Sequence, residues 1–281
     1  LRAVAEQLAA EAADYVRRRR AEVFGPGASA DRRLDAVRAK STPTDPVTVV
    51  DTETERLLRD RLAVLRPGEA ILGEEEGGPG PETAADGQLT WVLDPIDGTV
   101  NFLYGIEAYA VSVGVQRGGV SVAGAVADVA ADAVYSAALG HGARLSRAGA
   151  VIELQSSGCV DLSMALVGTG FAYERDRRTR QGLVVARLLP EVRDLRRIGS
   201  CALDLCMVAA GRLDAYYEEG VHVWDWAAAA LVATEAGAHV RTATAADGAG
   251  VVVAAAPGLS AAFEDALDRC GVPGPPRSLS D

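Results

Sequence analysis

Apolar residues Leu1, Val4, Ala5, Leu8, Ala9, Ala12 and Val16 recur every three or four positions, so the chain is predicted to open with an amphipathic helix packed on the body. Arg17 to Arg20 follow. Four arginines closing a helix complement its negative end and stay in water, and a Gly/Pro break at 25–27 ends the segment. From Val47 the pattern alternates: a short β-branched run to Val50, a helix carrying Leu57, Leu58, Leu62 and Leu65, and a strand at Ala70 to Leu72. A Gly/Pro-rich loop at 77–87 separates these from a strand at Thr90 to Leu93. After a glycine turn, β-rich runs at 110–116, 120–129 and 133–137 read as an antiparallel meander.

Beyond about residue 155 strand and helix signals alternate. Strands are predicted at Met164 to Val167, Leu195 to Ile198, Ala215 to Glu218 and Val251 to Ala255, and helices at 177–189, 202–210, 226–236 and 260–270. The chain therefore divides into an N-terminal α+β half, 1–155, and a C-terminal α/β half, 156–281. The Pro-, Gly- and Ser-rich tail 271–281 is expected to be mobile.

With 281 residues, 49% of them hydrophobic, the chain can bury its core without staples. Its 4 cysteines form no CxxC pair, which fits structural thiols in a reducing cytoplasm. No apolar run reaches the roughly 18 residues of a membrane span, and Glu6 and Glu11 interrupt what a secretory signal would need. A net charge of −11 opposes binding to nucleic acid or an anionic membrane, so affinity for any phosphate must be local.

Acidic residues stand where the hydrophobic pattern stops: Asp51, Glu74 and Glu75, Asp94 and Asp97, and Asp225 ahead of a helix. Mg²⁺ takes oxygen ligands, usually one or two carboxylates with water and substrate phosphate, so these clusters could hold more than one ion. The 3 histidines form no HxxxH pattern, which argues against zinc hydrolysis. In the segment 91–101, Pro95 restricts the backbone so that Asp94, Asp97 and the Ile96 carbonyl face one point, and Gly98 permits a tight turn. Thr99 then begins a helix, whose first N–H groups, at Gly98 and Thr99, would receive phosphate oxygens.

Four segments resemble the motifs of the inositol monophosphatase family, in order and over nearly the whole chain. They are Asp45-Pro-Val-Thr-Val-Val-Asp51, Gly73-Glu-Glu75, Trp91-Val-Leu-Asp-Pro-Ile-Asp-Gly-Thr-Val-Asn-Phe102 and Trp224-Asp-Trp-Ala-Ala-Ala-Ala-Leu-Val-Ala-Thr-Glu-Ala-Gly237. The resemblance implies an α+β fold, a layered αβαβα sandwich, and hydrolysis of an inositol monophosphate in a Mg²⁺-dependent, Li⁺-sensitive homodimer. It assigns Glu74, Asp94, the Ile96 carbonyl, Asp97 and Asp225 to two or three Mg²⁺ ions. Asp51 and Thr99 would hold the attacking water. Phosphate and alcohol would be held by Asp97, Gly98, Thr99, Cys201, Glu218 and Asp225. Metal ions ease this slow hydrolysis by activating water and neutralising oxygen charge, so in-line attack by water is expected rather than a phospho-aspartate.

Several residues are left with open roles. Lys40 either pairs with the metal-site carboxylates or stays exposed, and Glu75 and Glu76 read as solvated on a loop that orders with metal. Asp204, in an apolar helix, is expected to meet Arg196, Arg197 or a backbone N–H. Strand alternation lets only one of Tyr216 and Tyr217 face the pocket. Rival readings are fructose 1,6-bisphosphate, histidinol phosphate or a 3′-phosphonucleotide as substrate, and a non-catalytic metal- and ligand-binding regulatory module.

Overall fold

The amphipathic start is helix α1 (Arg2–Phe24), which buries Leu8, Ala12 and Val16 along one face. Beside it lies α2 (Val49–Leu65), introduced by the short ribbon β1 (Val37–Ala39) and β2 (Pro46–Thr48). Together α1 and α2 cover one face of a seven-stranded sheet. That sheet runs in order through β3 (Ala70–Gly73), β4 (Leu89–Asp97), β5 (Ala110–Arg117), β6 (Val120–Asp128), β7 (Ala133–Ala138), β8 (Ala143–Arg147) and β9 (Ala150–Glu153). Only β3 and β4 pair in parallel; the rest is an antiparallel meander. The short helix α3 (Thr99–Tyr104) links β4 to β5.

A second sheet of five strands has the order β11 (Asp194–Arg196), β10 (Leu166–Thr169), β12 (Ala215–Val221), β14 (Gly250–Ala255) and β13 (His239–Thr244). Its outer face is covered by α4 (Arg175–Leu188) and α7 (Ser260–Cys270), through Leu188, Phe263 and Leu267. Between the two sheets sit α5 (Cys201–Ala209) and α6 (Val223–Glu235). The result is the αβαβα sandwich. The computed structural model describes residues 1–25, 35–40, 42, 44–80, 87–244 and 249–272; parts of the segments 25–27, 77–87 and 271–281 lie outside the described residues.

Helix α6 lies unusually close to the first sheet because both sides of the contact lack bulk. A Cβ added to Gly124 would stand 2.7 Å from the Cα of Ala228, and one on Gly114 would stand 3.0 Å from the Cβ of Ala227. These glycines face each other across β5 and β6. The alanine run 227–230 and this glycine pair therefore set the depth at which α6 delivers Asp225 to the site.

Three sequence expectations change. The arginine run does not close α1, which continues to Phe24 with no basic residue in its last turn. Instead Arg17 binds Asp132 at 2.9 Å, Arg19 binds Glu53 at 2.8 Å and Arg20 donates to the Phe102 carbonyl at 2.9 Å, while Arg17 and Arg18 are exposed as expected. The β-branched run from Val47 stops at Thr48, whose side chain caps α2 through the amides of Val50 and Asp51. Asp51 and Asp225 are accordingly inside the first turns of their helices. The meander also extends through β8 and β9, and β13 pairs with β14; the alternation of these strands is diluted by Ala, Gly and Arg.

Candidate active site

Strand β4 ends in a bulge. Asp94 lies opposite Ser112 while Asp97 lies opposite Ala110, so β4 advances one residue more than β5 across Pro95 and Ile96. Proline cannot donate to a sheet ladder, and a bulge is where an interior strand tolerates it. The extra residue turns Asp94, Ile96 and Asp97 into one cleft, with the Ile96 amide donating to Asp94 Oδ1 at 3.0 Å. Gly98 follows at φ 95°, a left-handed conformation suited to glycine, and α3 starts at Thr99.

Asp94, Asp97 and Asp225 present carboxylate oxygens that all lie within 4.8 Å of one another. Burial, then the charge of Glu74 and of the other two aspartates, raises the Asp94 carboxyl well above its usual range. Burial and the Glu74 and Asp97 charges do the same to Asp225. Asp97 is pushed up by burial to about 6, held back by hydrogen bonds from the Ser200 hydroxyl and the Ala202 amide at the start of α5. Asp225 accepts from the His222 amide at 2.6 Å in a capping arrangement. Such mutual repulsion among oxygen donors is what a hard divalent cation relieves, so the donor set fits Mg²⁺. Lys40 lies beside these acids, its ammonium 2.7 Å from Glu74 and 2.5 Å from Glu75.

Asp51 is fully buried and accepts from both the amide and the hydroxyl of Thr48. Burial, with the nearby charges of Glu74 and Glu75, pushes its carboxyl up to about 7. Its other oxygen receives the Thr99 hydroxyl at 3.3 Å, and that hydroxyl also lies 3.0 Å from the Ile96 carbonyl. The two residues expected to hold water are therefore together.

The acidic turn after β3 is not a solvated loop. Glu55, buried on the same face of α2 as Asp51, accepts the amides of Glu75 at 2.7 Å and Glu76 at 3.0 Å. Gly73 and Gly77 exchange backbone hydrogen bonds of 3.0 and 3.1 Å, and a Cβ on Gly73 would strike the Glu55 carboxylate. Glu75 is bound to Lys40, and only Glu76 is exposed, beside Arg56 and Arg59. Glu55 was missed in the sequence. Its signal is a carboxylate one helical turn after Asp51 on an otherwise apolar face.

The same cleft, which has a volume of about 350 Å³, is also lined by Glu218, Cys201, Arg197, Phe171 and Trp224. Burial pushes the Glu218 carboxyl up to about 7, against a hydrogen bond from Tyr216. The Cys201 thiol is raised well above its usual value by burial and by Glu218, Asp225 and Asp97, which disfavours a reactive thiolate. Tyr216 and Tyr217 do point to opposite faces, yet neither lines the cleft: Tyr217 packs on Phe263, and the Tyr216 hydroxyl donates to Glu218 behind it. Trp224 stacks on His222 at 4.8 Å, whereas Trp226 packs against the central helices. Asp204 is fully buried with no hydrogen-bond partner on either oxygen among the described residues, contrary to expectation. Arg196 binds Asp194 instead, at 2.5 Å, and Arg197 turns toward the cleft. Asn101 is structural, donating to the carbonyls of Ala108 at 2.7 Å and Ile198 at 2.9 Å.

The sequence profile described as the inositol monophosphatase family matches residues 1–269. The chain is 65% identical over 272 residues to the inositol-1-monophosphatase SuhB of Mycobacterium tuberculosis, covering 96% of this chain and 93% of that protein. It is 64% identical over 273 residues to the inositol-1-monophosphatase of Mycobacterium leprae, covering 96% and 94%. The solved structure of Mycobacterium tuberculosis SuhB superimposes with a TM-score of 0.81 at 57% identity, covering 96% of each chain.

Proposed function

This chain belongs to the inositol monophosphatase family and is a phosphatase, and we propose that it hydrolyses an inositol monophosphate with two or three Mg²⁺ ions as cofactor. The observation that carries the proposal is the shared cleft: the carboxylate cluster and Glu218 line the same cavity, where one small phosphate ester can reach both.

Glu74, Asp94, Asp97, Asp225 and the Ile96 carbonyl would hold the ions. Bound Mg²⁺ supplies a lowered pKa for water and positive charge for the phosphate oxygens. Asp51 and Thr99 hold the attacking water between a carboxylate and a hydroxyl, and a carboxyl pushed toward neutrality can accept its proton. The first amides of α3, at Gly98 and Thr99, have no helical acceptor and receive phosphate oxygens. The starts of α2, α5 and α6 lie at the same centre through Asp51, Cys201 and Asp225, adding positive dipole ends. Glu218 accepts hydrogen bonds from neighbouring ring hydroxyls, with the Cys201 backbone beside them. In-line attack by water follows, because the carboxylates are engaged and not free to act as nucleophiles.

A phosphate-release panel with Mg²⁺ tests this, comparing inositol 1-phosphate, fructose 1,6-bisphosphate, histidinol phosphate and a 3′-phosphonucleotide. The expected outcome is preference for inositol 1-phosphate; preference for another member would reassign the alcohol. Family membership extends the proposal to Li⁺ inhibition and a homodimer, checked by Li⁺ titration and by mass in solution. No helix among the described residues is long and apolar enough to cross a membrane.

A further inference from the structure

Glu218 does not stand alone in β12. Tyr216, two residues earlier, shares its face of the strand and is fully buried, and its hydroxyl donates to Glu218 Oε2. Neighbouring β10 carries Gly168, and Gly170 follows just beyond its last residue. Gly168 pairs with Tyr216, and a Cβ there would stand 3.1 Å from the tyrosine ring; a Cβ on Gly170 would stand 2.0 Å from the Glu218 carboxyl carbon. The carboxylate therefore lies against bare backbone on one side and is tied by the phenol on another. The Cys201 thiol and Asp204 adjoin the same tyrosine from α5.

We propose that Tyr216 is a positioning residue for the alcohol half of the substrate, clamping one oxygen of Glu218 against Gly170 so that the other is presented to the substrate hydroxyls. Tyr216 itself does not line the cleft, so it acts through Glu218 rather than on substrate. The geometry separates this role from ordinary core filling. A buried tyrosine needs some acceptor for its hydroxyl, but here the acceptor is the carboxylate proposed to read the alcohol, and glycines at 168 and 170 leave room for the pair. The inference rests on the proposed role of Glu218.

The test is a double-mutant cycle of Tyr216→Phe and Glu218→Gln, read on inositol 1-phosphate and on 4-nitrophenyl phosphate, whose alcohol has no vicinal hydroxyls. A hydrogen bond to a charged group is worth about tenfold or more in binding. Tyr216→Phe is expected to lower the ratio of kcat/KM values, inositol 1-phosphate over 4-nitrophenyl phosphate, by about tenfold, with the loss mainly in KM. In the Glu218→Gln background the same substitution should leave that ratio unchanged. Equal losses on both substrates, no change in the ratio, or independent additive effects would each overturn the clamp. A wild-type enzyme with no preference for inositol 1-phosphate would instead remove the substrate reading, and the cycle would then be judged on whichever phosphorylated alcohol Glu218→Gln slows. If it slows none, both ideas fall.

Discussion

Replacing Asp204 by Asn should make the fold more stable, and increasingly so as the pH rises. Asp204 is fully buried in α5, and neither carboxylate oxygen has a hydrogen-bond partner among the described residues. Its carboxylate lies against Gly168 and beside Tyr216; Glu218 and Asp97 repel its charge, and Arg197 favours it. Burial first, then these acids, raises its pKa well above the ordinary 3.8. The sign follows from proton counting. Above the unfolded pKa the unfolded state releases this proton while the fold keeps it, so rising pH favours unfolding until the folded pKa is reached. The slope for one such group is about 1.4 kcal/mol per pH unit. Asparagine occupies the same volume and carries no proton to lose. The gap between Asp204→Asn and wild type should therefore widen with rising pH, at up to about 1.4 kcal/mol per pH unit, until the folded pKa is reached. Urea denaturation at a series of pH values, with chelator present, measures it. Parallel stability profiles for the two proteins would mean that Asp204 is ionised in the fold, and would refute the reasoning.

Asp94→Asn should reduce Mg²⁺-dependent phosphate release by about a thousandfold or more, since it removes a ligand shared by the carboxylate cluster without changing volume. In chelator at pH 7 the same protein should melt no lower than wild type, because a buried repulsive carboxylate is gone; a collapsed melting temperature would show a structural role instead. Gly124→Ala should cost about 2 kcal/mol, because the added methyl meets the backbone of α6 rather than a side chain that can turn away. A denaturant midpoint equal to wild type would show that α6 can be displaced without loss.

What was legible in the sequence was the chemistry packed into short stretches. Asp94, Ile96, Asp97, Gly98 and Thr99 lie within six positions, and a strand, a bulge and a helix start bring them to one cleft. Asp51 and Asp225 could be recognised as acids at the edge of apolar runs, but not as third residues of their helices, because capping depends on Thr48 and His222 being extended. Glu55 was hidden for another reason. Its partners are the amides of Glu75 and Glu76, and backbone amides carry no sequence signal.

The same limit governs the alcohol end of the cleft. Glu218 can be recognised as a carboxylate near Trp224 and Asp225, but its orientation depends on side chains that are missing beside it. Glycines weaken a strand, yet in the fold Gly168 and Gly170 are the space into which Tyr216 and Glu218 fit. Asp204 completes the case: arginines adjacent in the chain suggested a partner, but α5 points the carboxylate into the core while Arg197 faces the cleft. Sequence proximity predicts pairing only when both side chains leave the backbone on the same side. Here the turn between β11 and α5 separates them, leaving a buried acid beside the carboxylate proposed to choose the substrate.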